Sequence, residues 1–424
     1  MRLVVSIERN GVQCLAGYIE GTSDSDAAFR YDESYLNDPD AAPISISLPK
    51  QEQAFTEIQT KNYFEGLLPE GFTRRTVAQW MHVDESDYLS ILHGLGRECL
   101  GAIQVRTEEE EIAASYVAIS QGEIRALAEE GVSKSAEIIT KAHLSLTGAS
   151  GKVGLYYDAS NDQWYIPEGT APSTHIVKQS HIRLNDNVTN EQLSLQTAKN
   201  CGIDIPKSFI INTGSGEENE VLFATERYDR AFSENPIVID GLKCPARLHQ
   251  EDLSQALGIL ASDKYEKKPS GYLKKMFELL KMYSSDPIRD QLKLWDIIVF
   301  NYLIGNTDAH IKNTSLLYSA DMKSLRLAPA YDLVSTTVYE QSTREMAFYI
   351  GGEILIDKIN RDNFQGAAKE IGISKRIAME RFDELKERFG HALDESTENL
   401  CDSGYQRAAK IKERILKTGG VSIS

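Results

Sequence analysis

Apolar and polar positions alternate at the start of the chain, in two runs separated by a dipeptide that favours a tight turn. LVVSIE and VQCLAGYIE flank Asn10-Gly11, and Asn-Gly between apolar runs is the strongest short signal for a hairpin. The pattern predicts two antiparallel strands at the start of an α+β segment that extends to about residue 106. The charged run Glu108 to Glu111 marks its boundary.

Between about residues 140 and 230, short apolar runs typical of strands surround one helical stretch. KVGLYY, THIVK and VLFATE have the length and composition of strands. NEQLSLQTAKNCGI has the spacing of a helix that ends at Gly202. The segment is therefore predicted to alternate strands with one helix.

Helical spacing dominates from about residue 246 onward. In LKLWDIIVFNYLIG, Trp295, Val299 and Tyr302 share a face, which predicts a buried helix that stops at Gly305. Farther on, Ser374 is predicted to cap a helix whose apolar face contains Ala378, Phe382, Leu385 and Phe389.

The polar loop after Gly305 carries the residue types that phosphoryl transfer uses. In GNTDAHIKN, Asp308 and Asn313 lie five residues apart, and Asp332 follows in YDL. Protein kinases use an Asp to accept or orient the hydroxyl proton, an Asn five residues later to hold Mg²⁺, and a second Asp to hold Mg²⁺ across the phosphates. Asp and Asn in loops are commonly turn formers, but all three at this spacing favour a kinase-type site.

A glycine-rich segment upstream could cover the phosphates. In LSLTGASGKVGLYY, Gly148 and Gly151 lack side chains, so backbone N–H groups can approach an anion closely. Val153 follows Gly151-Lys152 where a Walker A loop requires Ser or Thr, which disfavours a P-loop NTPase. A plain hairpin turn is the alternative interpretation.

Lys178 ends the apolar run His175-Ile176-Val177. Because burying an unpaired ammonium group is costly, a lysine in a strand must pair or face a cleft. Its position resembles that of the kinase lysine that contacts the phosphates, with Glu191 as the candidate partner. A glutamate in a first helical turn is also favoured by the helix dipole.

Taken in order, these motifs resemble the HipA-family serine/threonine kinases, the toxins of HipBA toxin–antitoxin systems. The resemblance is carried by ISLPK, NYFEGLLPEG, GLGRECLGAIQV, LSLTGASGK, IPEGTAPSTHIVK, ATERYDR, LHQEDLSQALG, GNTDAHIKN and APAYD. It implies an α+β fold of the two-lobed, protein-kinase-like type. The implied parts are an N-terminal HipA-type subdomain at 1–106, a kinase N-lobe with the nucleotide loop at 107–240, and a helical C-lobe with the catalytic loop at 241–424.

The resemblance also assigns roles to individual residues. Asp308 is the expected catalytic base, Asn313 and Asp332 are the expected Mg²⁺ ligands, and Lys178 is expected to contact the ATP phosphates. The other residues expected to bind ATP belong to the nucleotide loop, the adenine hinge and the catalytic loop: Thr147, Gly148, Ala149, Ser150, Gly151, Lys152, Glu226, Arg227, Tyr228, His310, Ile311, Lys312 and Tyr331.

Ser145 matches the autophosphorylation serine of the family. A phosphate there would place negative charge beside the site for the ATP phosphates, so phosphorylation is expected to block ATP binding. Ser150 is a competing acceptor, and a plain strand serine at 145 is the alternative interpretation.

The expected partners also come from the resemblance. They are a HipB-like helix-turn-helix antitoxin, which would contact operator DNA for both proteins, and an aminoacyl-tRNA synthetase as the phosphorylated protein. The net charge of −17 agrees, because non-specific DNA binding requires neutralisation of phosphates by Lys and Arg. Two other interpretations stay open: a small-molecule or lipid kinase, and a non-catalytic nucleotide-binding co-repressor.

Composition limits the class of protein further. The 424 residues, 41% hydrophobic and 26% charged, are typical of a soluble protein with more than one domain. No run of eighteen apolar residues predicts a membrane span, and the apolar run near the N-terminus is too short for a signal peptide. The five scattered cysteines lack C-x-x-C spacing, which favours free thiols and a cytoplasmic location.

Overall fold

The structure, a computed structural model, describes residues 1–23, 25–108, 113–142, 151–180 and 184–422. The chain forms two compact units, each assembled from segments that are separate in sequence. The first unit comprises Met1–Ile182, Ile211–Ala261 and Leu317–Leu325, and the second comprises Arg183–Ile210, Ser262–Leu316 and Arg326–Ser424. The division into 1–106, 107–240 and 241–424 stays a prediction.

The N-terminal part of the first unit contains strands of two sheets and helices packed beside them. Its elements are β1 (Arg2–Arg9), β2 (Val12–Glu20), β3 (Ala28–Tyr31), α1 (Glu33–Asn37), α2 (Glu57–Phe64), α3 (Gly71–Met81), α4 (Tyr88–Leu95), β4 (Ile103–Arg106), β5 (Ser115–Ala118), α5 (Gln121–Glu130), α6 (Val132–Ala142), β6 (Lys152–Asp158), β7 (Gln163–Glu168) and β8 (His175–Gln179).

The chain then enters the second unit through α7 (Asn187–Asn200) and returns to the first unit within β9 (Ser208–Asn212). The remaining elements of the first unit are β10 (Val221–Glu226), β11 (Arg230–Ala231), β12 (Val238–Ile239), β13 (Leu242–Lys243), β14 (Ala246–Arg247), β15 (Gln250–Asp252) and α8 (Leu253–Ala256).

The rest of the second unit is mainly helical. Its elements, with the two strands in which the chain passes between units, are α9 (Tyr272–Tyr283), α10 (Pro287–Ile304), β16 (Ser315–Tyr318), β17 (Leu325–Leu327), β18 (Glu345–Ile350), β19 (Glu353–Leu355), α11 (Arg361–Ile371), α12 (Lys375–Asp402) and α13 (Arg407–Thr418). The antiparallel pair of β18 and β19 was not predicted by the helical pattern of this region.

The predicted N-terminal hairpin is confirmed. β1 and β2 pair in antiparallel register around Asn10 and Gly11, whose φ values of 51° and 75° suit a hairpin turn. The sheet has the order β3-β2-β1-β4. Leu3, Val5 and Ile7 are completely buried, so this face of β1 forms part of the core of the first unit.

The second sheet of the first unit contains the predicted strands around Lys178. Within this unit its order is β5-β7-β6-β8-β10, and β8 pairs in antiparallel register with both β6 and β10. Lys178 lies opposite Lys152 on one side and Phe223 on the other. The central position of β8 therefore gives its lysine a rigid backbone.

The long helices of the second unit also agree with the predictions. α10 is buried around Trp295 and ends at Gly305, which has a φ of 77°. Trp295 Nε1 donates to the carbonyl oxygen of Ala378, 3.0 Å away, which joins α10 to α12. Ser374 occupies the N-cap position of α12, but its side chain makes no capping hydrogen bond. In the described part of the chain, no helix has the length and apolar character needed to cross a membrane.

Candidate active site

The end of α10 determines where the predicted catalytic loop begins. A Cβ atom at Gly305 would collide with the Thr337 hydroxyl, so this sharp turn needs glycine. Asn306 continues the turn: its amide donates to Oδ1 of Asn301 at 2.8 Å and accepts from the backbone N–H of Asp308 at 3.1 Å. The loop is therefore held by the buried helix that precedes it.

Asp308 and Asn313 are brought together by the loop itself. The side-chain amide of Asn313 donates to the carbonyl oxygen of Asp308 at 2.9 Å, and its backbone N–H donates to the carbonyl oxygen of His310 at 2.8 Å. A 3-10 turn at Ile311–Asn313 makes this close approach possible. The Asp308 side chain is exposed, and its Oδ1 accepts a hydrogen bond from the hydroxyl of Tyr265.

Asp332 lies at the same cavity as Asn313. Asn313 and Asp332 line one small cavity of about 10 Å³ together with Asn306. The side-chain amide of Asn306 also donates to the carbonyl oxygen of Asp332 at 3.4 Å. The preceding Tyr331 is fastened through its hydroxyl, which donates to the carbonyl oxygen of Lys312 at 2.8 Å.

This pair of side chains fits a magnesium ion. Carboxylate and amide oxygens are ligands for hard divalent cations, and Mg²⁺ is usually bound by only one or two protein groups plus phosphates and water. Among the described residues, no group of three or more His, Cys, Asp or Glu side chains is arranged to hold a metal. Asn313 and Asp332 stay the candidate ligands because they line the same cavity.

The predicted catalytic loop contains three more residues predicted to bind ATP, His310, Ile311 and Lys312, and all three are buried. Ile311 is completely inaccessible to solvent, so its side chain contributes to the core. A role in nucleotide binding stays a prediction for all three.

In the first unit, Lys178 is buried in the middle of its sheet, with Nζ 5.5 Å from the centre of the Phe223 ring. At the end of the predicted nucleotide loop, a Cβ atom on Gly151 would collide with the Gln179 side chain, so a larger residue here would have to displace that side chain. Ser145, Thr147, Gly148, Ala149 and Ser150 lie outside the described residues.

The predicted adenine hinge follows β10. The backbone N–H of Arg227 donates to the carbonyl oxygen of Thr174 at 2.9 Å. The guanidinium group of Arg227 is buried and bonds to Glu98 and Asp229 at 3.2 and 2.7 Å. The Arg227 side chain is therefore part of the interior of the first unit. Binding of adenine by the backbone of this segment stays a prediction.

Arg227 belongs to a buried ionic cluster that sequence reasoning missed. Its members are three arginines and three carboxylates: Glu8, Glu98, Arg227, Asp229, Arg230 and Arg247. Burial alone would raise the pKa of Glu98, but the guanidinium groups of Arg230, Arg247 and Arg227 outweigh it and lower that pKa to about 2. The only sequence signal was the density of charge in GRE and ERYDR.

These features define an α+β kinase-like fold, which agrees with the fold prediction. Among solved structures, the chain is similar to the complex of HipA, HipB and operator DNA from Shewanella oneidensis, with a TM-score of 0.79, 23% sequence identity and coverage of 97% of this chain and 96% of that chain. At this identity the likeness establishes the fold.

The family follows from sequence. The HipA-like C-terminal domain matches residues 144–393, and the HipA N-terminal domain matches residues 12–106. The Sinorhizobium fredii protein named "Putative kinase Y4mE" is 32% identical over 387 residues, covering 89% of this chain and 88% of that protein. The "Serine/threonine-protein kinase toxin HipA" of S. oneidensis is 24% identical over 373 residues, covering 83% and 80%. The chain belongs to the HipA family, as predicted, and these relationships support a kinase of the HipA type.

Proposed function

We propose that this chain is an ATP- and Mg²⁺-dependent protein serine/threonine kinase that acts as the toxin of a toxin–antitoxin pair. The observation that carries the proposal is the loop after α10, which joins Asp308 to Asn313 and places Asn313 and Asp332 at one cavity. Those three residue types, in this order, are what protein phosphoryl transfer requires.

Each residue has a distinct task in the proposed reaction. Asp308 accepts or orients the proton of the acceptor hydroxyl, and its exposed carboxylate is accessible to a protein acceptor. Asn313 and Asp332 hold Mg²⁺, which neutralises charge on the phosphates when it is bound. Lys178 supplies a fixed positive charge for the phosphates from its central strand, and the backbone after β10 contacts the adenine.

The partners are proposed on separate grounds. One solved structure that this chain resembles is a complex of HipA with HipB and operator DNA, and this chain has a net charge of −17. Both support a basic HipB-like antitoxin that contacts DNA while this chain binds the antitoxin. An aminoacyl-tRNA synthetase is the proposed acceptor on the family resemblance, and its phosphorylation would arrest translation.

A phosphorylation screen tests the function. The full chain is incubated with radiolabelled ATP, Mg²⁺ and each purified aminoacyl-tRNA synthetase of the same cell. We expect label in a serine or threonine of one synthetase, and Asp308→Asn should lower the rate about 10²- to 10⁴-fold because the base is lost. Asp402→Asn, at an exposed position at the end of α12, is the matched control and should react as wild type does.

Wild-type rates in Asp308→Asn would contradict the role of the loop. Label that appears only in lipid vesicles or in a small metabolite would agree with the proposed role of the loop. It would assign the chain to another class of kinase.

A further inference from the structure

A tyrosine from another part of the second unit contacts the expected base. The hydroxyl of Tyr265 donates to Oδ1 of Asp308, although the two residues lie 43 positions apart. The Tyr265 ring stands edge-on to the ring of His310, with centroids 5.1 Å apart and planes at 87°. The contact therefore involves two residues of the catalytic loop, and local loop geometry does not account for it.

The segment that carries Tyr265 is anchored by the next residue. Glu266 is buried, and its backbone N–H donates to the carbonyl oxygen of Ala347 on β18 at 2.8 Å. Its carboxylate accepts from the backbone N–H groups of Tyr272 and Tyr349 at 3.2 and 3.0 Å. Since a carboxylate held by backbone donors tolerates little movement, the backbone beside Tyr265 is fixed to the body of the second unit.

Asp308 is exposed, so burial does not fix the position of its carboxylate. The Asn313 amide donates to the Asp308 carbonyl oxygen, and the Asp308 N–H donates to Oδ1 of Asn306. Both bonds fix the main chain, and neither involves the carboxylate. A bond from an anchored phenol to Oδ1 selects one orientation of the carboxylate. A carboxylate has two oxygens with about four lone-pair sites, so it can accept the phenol and an acceptor hydroxyl together.

We propose that Tyr265 is a positioning residue for phosphoryl transfer, which orients Asp308 toward the acceptor hydroxyl. The inference rests on the proposed kinase function. In the step, the acceptor oxygen bonds to the γ-phosphorus while the bond from that phosphorus to the ADP oxygen breaks, and the acceptor proton passes to the Asp308 carboxylate. Tyr265 keeps its own proton throughout and acts only through the base, as the third group of a catalytic set commonly does.

Kinetics of Tyr265→Phe test this role, because the change removes the hydroxyl and keeps the ring. Label incorporated into the full chain from radiolabelled ATP is followed at varied ATP and saturating Mg²⁺. The maximum rate should fall about 10-fold, less than the ~10²-fold that a 1 Å misplacement can cost. Half-saturating ATP should stay within about twofold, since the hydroxyl orients the base and does not bind the nucleotide.

Tyr283→Phe is the matched control. Tyr283 is the last residue of α9 in the same unit, and its side chain is also partly exposed. This variant should give wild-type values for both constants.

A second measurement detects the contact without using activity. Tyrosines labelled with ¹³C at Cζ report the hydrogen bonding of their hydroxyls, and the Tyr265 resonance is identified by its loss in Tyr265→Phe. We expect this resonance to move in Asp308→Asn and to stay in place in Asp402→Asn.

Each other outcome has a defined consequence. An unchanged maximum rate in Tyr265→Phe would overturn the positioning role, and a higher rate would show that the phenol competes with the acceptor. A resonance that does not move in Asp308→Asn would refute the contact. If the resonance moves but the wild type transfers no phosphate to any acceptor, the proposed function fails and the positioning role fails with it.

Discussion

Asp332 adopts a φ of 52°, in the left-handed region that residues other than Gly, Asn and Asp rarely occupy. The strain in that backbone costs on the order of 1 kcal/mol or more. The position of Asp332 supports a functional reason for this strained backbone, because Asp332 lines the cavity together with Asn313. A carboxylate at this point combines tolerance of the backbone conformation with affinity for a cation.

Two substitutions at Asp332 separate these roles. Asp332→Asn keeps the shape and the tolerance of positive φ, so it should leave stability unchanged while weakening the binding of Mg²⁺ and ATP. Asp332→Ala should in addition lower the free energy of unfolding by about 1 kcal/mol, because alanine fits the left-handed region poorly. Calorimetry with Mg²⁺ and ATP measures the first effect, and denaturant titration measures the second.

Asp162→Ala is the control for backbone strain. Asp162 has a φ of 51° but lies on the exposed turn between β6 and β7. The Asp162→Ala variant should lose at least as much stability, because the Tyr157 hydroxyl also donates to the Asp162 carboxylate at 2.7 Å, and it should bind the nucleotide as wild type does. Equal nucleotide binding by Asp332→Asn and wild type would contradict the metal-ligand role.

At the scale of elements, a buried carboxylate joins β15 to its neighbours. Glu251 accepts hydrogen bonds from the Ser45 hydroxyl at 2.5 Å, the Ile46 N–H at 3.1 Å and the Tyr318 hydroxyl at 2.5 Å. Burial raises the pKa of Glu251, these three hydrogen bonds lower it, and the result is a pKa of about 7. Nearby Asp252 adds a smaller effect in the raising direction.

This pKa predicts how stability depends on pH. The ordinary value is 4.5, so between about pH 4.5 and 7 the folded protein binds more protons at this site than the unfolded chain does. The contribution of Glu251 to the free energy of unfolding is therefore complete below pH 4.5 and is lost as the pH rises through 7. Each pKa unit corresponds to about 1.4 kcal/mol, so the loss is on the order of 3 kcal/mol.

Glu251→Gln isolates the effect, because glutamine does not titrate. Denaturant titrations of both proteins at pH 5 and pH 7.5 should show that the wild type loses more stability over this interval than the variant. Parallel losses in the two proteins would show that Glu251 is ionised in the folded protein throughout this range.

At the scale of the whole molecule, the excess of 63 acidic over 46 basic residues opposes direct contact with DNA. If the antitoxin contacts DNA and this chain binds only the antitoxin, this chain alone should give no specific gel shift with operator DNA at physiological salt. Addition of its HipB-like antitoxin should produce a complex that contains both proteins. A tight, sequence-specific shift by the isolated chain would refute the proposal.

The features that the sequence determined by itself are local. Asn10-Gly11 specifies a hairpin because both residues tolerate a positive φ. Gly305 ends α10 because it also adopts a positive φ. The five-residue spacing of Asp308 and Asn313 closes through one short turn. Such features depend on neighbouring residues, so they and the family motifs could be read in advance.

Only the tertiary structure decided which distant residues meet. Tyr265 reaches Asp308 because Glu266 is buried against β18, and no periodicity in the sequence predicts that contact. Arg227, in the predicted hinge, turns inward because Glu98, far earlier in the chain, offers a buried partner. Burial and charge pairing between remote segments depend on how the chain packs, because the free energy of a buried charge is set by its surroundings in space and not by its neighbours in sequence.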